Sequence, residues 1–217
     1  MQEQYGQSEI GKNQTIVIDY SAPNIAKPFS VGHLRSTIIG QALYNILKSQ
    51  GYKVIGDNHI GDWGTQFGKL LCAYHLWGDR SKIEQNPIKE LLNLYIKFHK
   101  EADIEPILND EARNWFKRLE DGDKEARDLW RWITDISLAE FDRVYGILGV
   151  KIDQTLGESF YEDKMSKILE ELQNKNIVEW IPALDKDGKE ISNEKLLAID
   201  LKPENIIFDR KTGKVKI

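Results

Sequence analysis

The sequence has few of the features that place a chain in a disulfide-bonded, metal-binding or membrane class. Its 217 residues include one cysteine, Cys72, which excludes an internal disulfide framework and a cysteine-based zinc cluster and favours a reducing compartment. No apolar run reaches the length of a membrane span, and residues 1–6 are polar rather than signal-like. We therefore expect a cytoplasmic protein that does not enter a membrane.

An excess of positive charge is also absent. The formal net charge is −5, from 30 Lys and Arg residues against 35 Asp and Glu residues. Dedicated nucleic-acid binders usually carry a basic excess, so the charge of the whole chain does not favour that class, although a local basic patch can act within an acidic protein.

The apolar content is sufficient for a globular core. Hydrophobic residues make up 41% of the chain and aromatic residues 10%, which suits one sizeable core or two small ones. Local composition predicts a flexible polar lead-in over residues 1–13, a main domain over 14–183, and a charged tail with a β-hairpin over 184–217.

The main domain is predicted to begin with a strand, a loop and a helix. The apolar run Ile16–Ile18 favours a strand, and Pro23 and Pro28 keep the next segment out of helical space. A helix then opens at Gly32, and its apolar residues recur at about the helical period, which predicts that one face packs against a sheet. These apolar residues are Leu34, Ile38, Leu43, Ile46 and Leu47.

The start of this helix is a candidate phosphate site. Backbone N–H groups and the positive end of the helix dipole meet there, and His33 in the first turn adds a donor. An alternative stays open for both residues, because His33 can simply cap or pack the helix and Gly32 can simply let the loop turn.

A second strand is predicted over residues 52–59, which completes a βαβ unit. The strands of such a unit are parallel and its ligands bind beyond their carboxyl ends, where both His33 and Asn58-His59 fall. The segment 58–68 contains several glycines, which predicts either a tight turn close to a ligand or ordinary turn chemistry around a packed Trp63.

A long helical stretch is predicted over residues 87–148, with breaks at Glu105-Pro106 and at Gly122. Its aromatic stripe is more typical of a core than of a cofactor site. His75 and His99 are single histidines on helices, and we interpret them as packed side chains rather than ligands.

Two contiguous segments resemble one known family. Ser21–Thr37 resembles the first signature of class I aminoacyl-tRNA synthetases in the form used by arginyl-tRNA synthetases, and Asn58–Gly68 resembles the Gly-Asp-Trp-Gly-x-Gln-Phe-Gly element of the same enzymes. The resemblance covers residues 14–182, about the first half of a catalytic domain. It implies an α/β fold: a partial, Rossmann-like class I synthetase nucleotide-binding fold in which residues 87–148 form a long α-helical insertion.

The resemblance also implies an activity. An arginine–tRNA ligase joins arginine to the α-phosphate of ATP, releases pyrophosphate with the help of Mg²⁺, and passes the arginyl group to tRNA. ATP and Mg²⁺ are then the expected cofactors, and L-arginine, ATP and arginine-specific tRNA the expected partners of a monomeric protein. The alternatives are a non-catalytic remnant that binds nucleotide or protein, and a kinase-like fragment.

The same resemblance implies the site residues. His33 would stabilise charge on the α-phosphate and Asn24 would contact the amino acid, while Ser30 stands where the signature has its first histidine and would keep part of its orienting role without its charge. The residues implied for catalysis are His33 and Ser30, those for ATP are Gly32, His33 and Lys27, and those for the substrate are Ser21, Asn24, His33, Asp62, Gln66 and Glu158.

Glu158 has its own chemical reason to be in this set. A returning strand is predicted over residues 150–156, and Gly157-Glu158-Ser159 follows at its end. A carboxylate there can accept two parallel hydrogen bonds from a guanidinium group, and the triplet matches the place where arginyl-tRNA synthetases read the substrate side chain. A Glu before a Ser is also ordinary at a helix start, so both interpretations stay open.

Two stretches imitate signatures of the class I enzymes. His59–Asp62 looks like the first signature but follows the second strand, so we do not assign it. Lys164–Lys167 has the first letters of the second signature, but it is predicted to lie inside a charged helix over residues 161–176, with solvated lysines.

Residues 198–217 resemble the catalytic loop of protein kinases. That resemblance implies Asp200 as base, Lys202 as a phosphate contact and Asn205 as a metal ligand, but the other parts of a kinase are missing from the sequence. A surface hairpin closed by Lys211–Gly213 is the favoured interpretation.

Overall fold

The computed structural model describes residues 6–175, 177–179, 207–209 and 214–216. Its contacts divide the chain into two compact units, Met1–Phe160 and Tyr161–Ile217. This division falls at a different place from the boundary after residue 183 that composition suggests, and the three-part division of the chain stays a prediction.

The first unit has a small parallel sheet and six helices among its described residues. Its elements are β1 (Thr15–Asp19), α1 (Val31–Ser49), β2 (Lys53–Asn58), α2 (Thr65–Trp77), α3 (Arg80–Gln85), α4 (Pro87–Ile104), α5 (Ile107–Glu120), α6 (Lys124–Leu148) and β3 (Gln154–Thr155). The strand order is β1-β2-β3, with β2 paired in parallel to both neighbours. The predicted α/β fold with a βαβ unit is thus confirmed, and all three carboxyl ends lie at one edge.

Local sequence explains where several helices begin and end. Asp123 caps α6 by accepting a hydrogen bond from the backbone N–H of Ala126, and Pro87 occupies the first turn of α4, where its missing N–H has no helical partner to lose. Gly149 ends α6 in the left-handed conformation, with φ of +65°.

The prediction about the packed face of α1 is wrong. Its apolar residues Leu34, Ile38, Leu43 and Ile46 are all exposed, and the buried residues are Thr37, Gly40, Gln41 and Tyr44. A Cβ at position 40 would collide with the Tyr20 ring, so the glycine lets α1 lie close to the end of β1. Polar contacts complete this face, because the Tyr20 hydroxyl donates to Gln41 Oε1 at 3.2 Å.

The predicted strand over residues 150–156 is also much shorter in the structure. Only Gln154 and Thr155 pair with β2. The residues before Gln154 are held by side chains as well as by one backbone bond. Gln41 accepts the backbone N–H of Lys151 at 2.7 Å, Asp153 accepts that of Gly56 at 2.9 Å, and the Asp153 N–H donates to the Gly56 carbonyl at 2.9 Å. Side-chain contacts therefore take the place of part of the strand ladder.

The helical insertion breaks where the sequence predicts. Helix α4 ends at Ile104, α5 begins at Ile107, and α6 begins after Gly122. The aromatic stripe is core, as expected: Phe98, Trp115 and Phe141 are buried in one apolar cluster whose buried members lie between Ile25 and Tyr145.

The two histidines on helices have aromatic neighbours. The ring of His75 lies 5.1 Å from that of Trp115, and His99 packs between Tyr95 and Phe98. Partial burial and nearby Lys69 lower the pKa of His99, which favours its neutral form.

The second unit contains a helix and a small sheet among its described residues. A 3-10 helix over Glu158–Lys164 leads into α7 (Met165–Asn174), so the predicted helix over 161–176 is α-helical only from Met165 onwards. Lys164 ends the 3-10 segment and Met165–Lys167 form the first turn of α7, so these letters do lie in helical structure.

The sheet of the second unit has the order β4-β6-β5, from β4 (Val178–Glu179), β5 (Ile207–Asp209) and β6 (Lys214–Lys216). Strands β5 and β6 pair antiparallel, as a hairpin requires. The kinase-like residues Asp200, Lys202 and Asn205 lie outside the described residues.

Part of the predicted lead-in contacts the end of α1. The Ser8 backbone N–H donates to the Ser49 carbonyl at 3.0 Å, and that of Gly11 donates to the Gln50 carbonyl at 2.9 Å. The flexibility predicted for residues 1–13 stays a prediction. None of the helices in the described part of the chain combines the length and the apolar composition needed to cross a membrane.

Candidate active site at the carboxyl edge of the parallel sheet

Three loops meet where the strands of the first sheet end, and they are joined by backbone hydrogen bonds. The loop after β1 meets the loop after β2 through two bonds of 3.1 Å, from Ile25 N–H to the Gly61 carbonyl and from Gly61 N–H to the Pro23 carbonyl. The loop after β3 joins the same centre, because Glu158 N–H donates to the Ile60 carbonyl at 3.1 Å. These bonds bring most of the predicted site residues to one edge.

The loop after β1 has an unusual backbone. Ser21, Ala22 and Ala26 all have positive φ, at +80°, +49° and +60°. Residues with a Cβ rarely adopt this conformation, and it persists only where surrounding contacts impose it. Such contacts surround Ser21, whose side chain is buried and hydrogen-bonded to Tyr145 and Thr37.

Asn24 lies at the centre of this edge. It forms a parallel bridge with Gly61, and a Cβ at position 61 would collide with the Asn24 side-chain oxygen. Glycine is therefore needed at position 61 to admit the Asn24 amide. Asn24 is half-buried, so part of it remains accessible to a ligand.

His33 lies in the first turn of α1 with one ring nitrogen already engaged. Its Nδ1 accepts the backbone N–H of Ser30 at 3.0 Å, and Ser30 Oγ lies at the same distance from Nδ1. A backbone N–H can only donate, so we assign the proton of the neutral imidazole to Nε2. Phe29 packs beside the ring at 5.6 Å. His33 thus offers an Nε2–H donor at a helix N-terminus.

Ser30 contacts the imidazole of His33, and its role towards a substrate stays a prediction. It precedes the first residue of α1 in an extended conformation, with φ of −97° and ψ of 170°. Its backbone and side chain both reach His33 Nδ1, so they hold the imidazole without adding a charge.

Gly32 is exposed and has space above it. A Cβ at this position would meet only Ser30 Oγ, at the ordinary contact distance of 3.6 Å. The packing of the chain itself therefore does not demand a glycine here. Surface above the first turn of α1 is left open, which is where a phosphate would approach the helix N-terminus.

Lys27 and Gln66 lie together but in a mainly apolar place. They line a small cavity with Tyr95, whose ring lies 5.9 Å from Lys27 Nζ, and with the buried side chains of Ile25, Phe67 and Leu70. Gln66 Nε2 also donates back to the Trp63 carbonyl at 3.4 Å. Gln66 belongs to the first turn of α2, so this cavity lies between α2, the loop after β1 and the insertion.

Asp62 is buried, and both oxygens of its carboxylate accept hydrogen bonds from Ser159 in the loop after β3. It accepts the backbone N–H of Ser159 at 2.9 Å and the Ser159 hydroxyl at 2.6 Å. The Asp62 carbonyl also accepts the indole N–H of Trp130 at 2.8 Å. Asp62 therefore holds the loop that carries Glu158.

Glu158 remains available to a ligand. The residue is exposed, but its carboxyl group is partly desolvated and lies near Asp62, and both effects raise its pKa above the usual value. A hydrogen bond from the Trp63 backbone N–H and the proximity of His59 act in the opposite direction. The carboxylate is thus held at the sheet edge with acceptor capacity to spare.

Three residues of this edge do not emerge from the sequence as site residues: Thr37, Trp130 and Tyr145. Tyr145 belongs to the aromatic stripe, for which the sequence favours a core role, and Trp130 is not singled out by the sequence. The available signal was the polar atom of each ring, because a buried tyrosine hydroxyl or indole N–H needs a partner.

A metal site is not evident in this part of the chain. Among the described residues, no group of three or more His, Cys, Asp or Glu side chains is arranged to hold a metal ion.

Comparison with known proteins gives one consistent result. Residues 1–192 match the family model of tRNA synthetases class I (R), catalytic domain. The arginine–tRNA ligase of Clostridioides difficile is 54% identical over 176 residues, which are 81% of this chain and 31% of that protein. The arginine–tRNA ligase of Exiguobacterium sibiricum is 49% identical over 215 residues, or 98% of this chain and 36% of that protein.

Solved structures agree with the fold. The arginyl-tRNA synthetase of Plasmodium falciparum matches with a TM-score of 0.64 and 26% identity, over 89% of this chain and 35% of that one. The Thermus thermophilus enzyme matches in fold with a TM-score of 0.59. This chain spans about a third of the length of the curated relatives it matches. The match over residues 1–192 and the identities near one half show that the chain belongs to the class I arginyl-tRNA synthetase family, within its catalytic domain.

Proposed function

We propose that this chain carries the arginine- and ATP-binding part of an arginine–tRNA ligase. The observation that carries the proposal is the pairing of two features at one sheet edge. His33 presents an Nε2–H donor at the N-terminus of α1, and Glu158 presents a carboxylate beyond β3. The first feature suits a phosphate and the second suits a guanidinium group.

The proposed reaction is adenylate formation. A carboxylate oxygen of arginine attacks the α-phosphorus of ATP, the bond from that phosphorus to the bridging oxygen breaks, and pyrophosphate leaves with the electron pair. Negative charge builds on the α-phosphoryl oxygens, and His33 Nε2–H with the N–H groups of the first turn of α1 would stabilise it. Transfer of the arginyl group to the terminal ribose of tRNA would follow.

Arginine would lie along the loops after β2 and β3. Glu158 would accept two hydrogen bonds from its guanidinium group, and the half-buried Asn24 would contact its α-amino and carboxyl end. Ser21 and Asp62 were predicted as substrate contacts, but both have buried side chains engaged within the protein. We propose that they act on the substrate through Asn24 and Glu158.

ATP would lie above the first turn of α1, where Gly32 leaves room. Lys27 and Gln66, half-buried beside α2, are proposed to border the nucleotide side of the site. Mg²⁺ would arrive with the nucleotide, since this ion is commonly held by substrate phosphates and a few carboxylates rather than by a dedicated cage. A monomeric state, a cytoplasmic location and tRNA as partner belong to the same proposal.

Arginine-dependent exchange of pyrophosphate into ATP tests the proposal. The chain is assayed with arginine and tRNA present, and a His33→Asn variant is the control because asparagine removes the Nε2–H donor. Exchange above background that is lost in the variant supports adenylate formation. Binding of ATP or arginine without any exchange would favour the alternative of a non-catalytic binding remnant.

A further inference from the structure

Tyr145 occupies a special place at the end of the helical insertion. It lies in the last turn of α6 and is 4% exposed, with its ring edge-on to Phe29 at 6.0 Å. Its ring belongs to the apolar core together with Phe141, the other buried aromatic residue of α6, whereas its hydroxyl bonds Asn58 at the end of β2. This hydroxyl is the point where the insertion meets the loops of the proposed site.

The hydroxyl of Tyr145 bonds two buried polar side chains. Asn58 Nδ2, at the end of β2, donates to it at 3.1 Å, and Ser21 Oγ lies 2.7 Å from it. An amide N–H can only donate, so the phenol accepts from Asn58 and its own proton is available for Ser21. Asn58 and Ser21 are 1% and 4% exposed, so water does not readily replace either contact.

The chain of contacts continues to α1. Thr37 Oγ1 lies 2.8 Å from Ser21 Oγ and 2.6 Å from the His33 carbonyl, and Thr37 is fully buried. Asn58 also accepts the Ala22 backbone N–H through Oδ1 at 3.0 Å. The network therefore bonds Ser21 and Ala22, two of the residues with positive φ, and the first turn of α1.

We propose that Tyr145 is a positioning residue for the synthetase site: its hydroxyl holds residues 21–24 and the first turn of α1 in the arrangement that binds arginine and ATP. This inference rests on the proposed function for its ligands. Residues with a Cβ and positive φ relax to ordinary conformations when their contacts are removed, so Asn24, two residues on, would move with Ala22. His33 would lose alignment through Thr37.

A simple core role for the ring makes a different prediction. Tyr145→Phe keeps the ring and its contact with Phe29 but removes the hydroxyl, so packing alone would survive. Tyr74→Phe is the matched control, because Tyr74 is half-buried on α2 with its ring against Trp132, away from this network.

A second pair of variants separates the effect of losing a hydroxyl group from the effect of losing side-chain volume. At Thr37, valine keeps the shape and removes the hydroxyl, whereas serine keeps the hydroxyl and removes a buried methyl group. If hydrogen bonding positions the loop, Thr37→Val resembles Tyr145→Phe and Thr37→Ser resembles the unaltered protein. If instead Thr37→Ser resembles Tyr145→Phe and Thr37→Val resembles the unaltered protein, the effect comes from packing and the proposal is overturned.

The experiment measures two quantities on the full chain. Backbone and Cβ chemical shifts of Ser21, Ala22 and Asn24, which depend on φ, should change in Tyr145→Phe and Thr37→Val and stay unchanged in the two controls. Dissociation constants for arginine and ATP, measured by ligand-observed NMR, should rise at least fivefold in the same two variants. Thermal unfolding of every variant identifies general destabilisation.

The outcomes are distinguishable. Unchanged shifts at residues 21–24 in Tyr145→Phe overturn the proposal, and so do changed shifts with unchanged affinities. If the unaltered chain binds neither arginine nor ATP, the proposed function fails for this chain, and the shifts alone then decide whether Tyr145 positions the loop.

Discussion

Asp62 and Glu158 show how two neighbouring carboxylates take different roles. Asp62 is buried and receives both hydrogen bonds that Ser159 can donate. Glu158 is exposed and receives a backbone N–H from Trp63, which leaves acceptor positions free. The first carboxylate therefore builds the loop, and the second is available to a ligand.

Glu158→Gln should weaken arginine binding and leave ATP binding nearly unchanged. The variant removes a charge-assisted contact with the guanidinium group, and such contacts are worth about 1.5–3 kcal/mol, or roughly tenfold or more in the dissociation constant. Ligand-observed NMR at high arginine concentration measures the change, with lysine as the comparison ligand. Equal arginine affinity in both proteins would mean that Glu158 only begins the 3-10 helix.

The same substitution should raise stability at neutral pH. Partial desolvation and Asp62 raise the pKa of Glu158, so the folded state binds its proton more tightly than the unfolded state. The contribution of Glu158 to stability is therefore highest at low pH and falls as pH rises through the window between its ordinary and raised pKa values.

Melting temperatures measured from pH 4 to 7 test whether the stability contribution of Glu158 falls as pH rises. The melting temperature of Glu158→Gln relative to the unaltered protein should increase with pH and level off above the raised pKa. Glu170→Gln, at an exposed position on α7, is the control. A difference that shrinks with rising pH would show that the carboxylate is stabilising.

At the scale of elements, the close packing of α2 against α5 depends on one residue. A Cβ at Gly68 would collide with the Ala112 carbonyl and lie 2.7 Å from Phe116 Cβ. The sequence suggested turn chemistry or ligand approach for the glycines of this segment, but Gly68 lies inside α2. Its function is helix packing.

Gly68→Ala should therefore lower the free energy of unfolding by about 1–3 kcal/mol, because the added methyl group forces the two helices apart. Gly146→Ala is the matched control, since Gly146 is an exposed position of α6 where a Cβ meets no atom within 4 Å. It should be neutral or stabilise by up to about 1 kcal/mol through helix propensity. Urea denaturation measures both, and equal effects would contradict the helix-contact argument.

Helix α1 illustrates why periodicity alone predicted the wrong face as the one that packs against the sheet. Its apolar residues and its small or polar residues both recur at helical spacing, so each set forms a stripe. The stripe that contacts the sheet end is the one that offers a glycine for the Tyr20 ring and side chains for hydrogen bonds. The apolar stripe remains exposed within the described part of the first unit.

At the scale of the whole molecule, the apolar cluster found among the described residues belongs to the first unit. The buried residues of its cluster lie between Ile25 and Tyr145, within Met1–Phe160.

Removal of residues 184–217 should leave the main unfolding transition nearly unchanged. We expect a shift of less than about 2–4 °C, which corresponds to roughly 1 kcal/mol for a chain of this size. Differential scanning calorimetry of the full and shortened chains measures it, and arginine and ATP binding should also persist in the shortened chain. A loss of cooperative unfolding would show that the tail is part of the folding unit.

The sequence was sufficient for features that depend on neighbouring residues. These features are the strand–loop–helix start, the breaks in the insertion near Pro106 and Gly122, and the two family segments. Each depends on contiguous residues, because turn preferences and helical periodicity act locally. The family and the candidate role of His33 followed from these two segments, and the candidate role of Glu158 followed from the separate triplet Gly157-Glu158-Ser159.

The folded chain determined the features that depend on distant residues. Ser21 and Tyr145 are separated by 124 positions, and Asp62 and Ser159 by 97. No local pattern indicates such contacts, so the sequence did not predict the bonds between Asp62 and Ser159 or between Tyr145 and Ser21. The length of β3 and the packed face of α1 were settled in the same way, because partners elsewhere in the chain satisfy their polar groups.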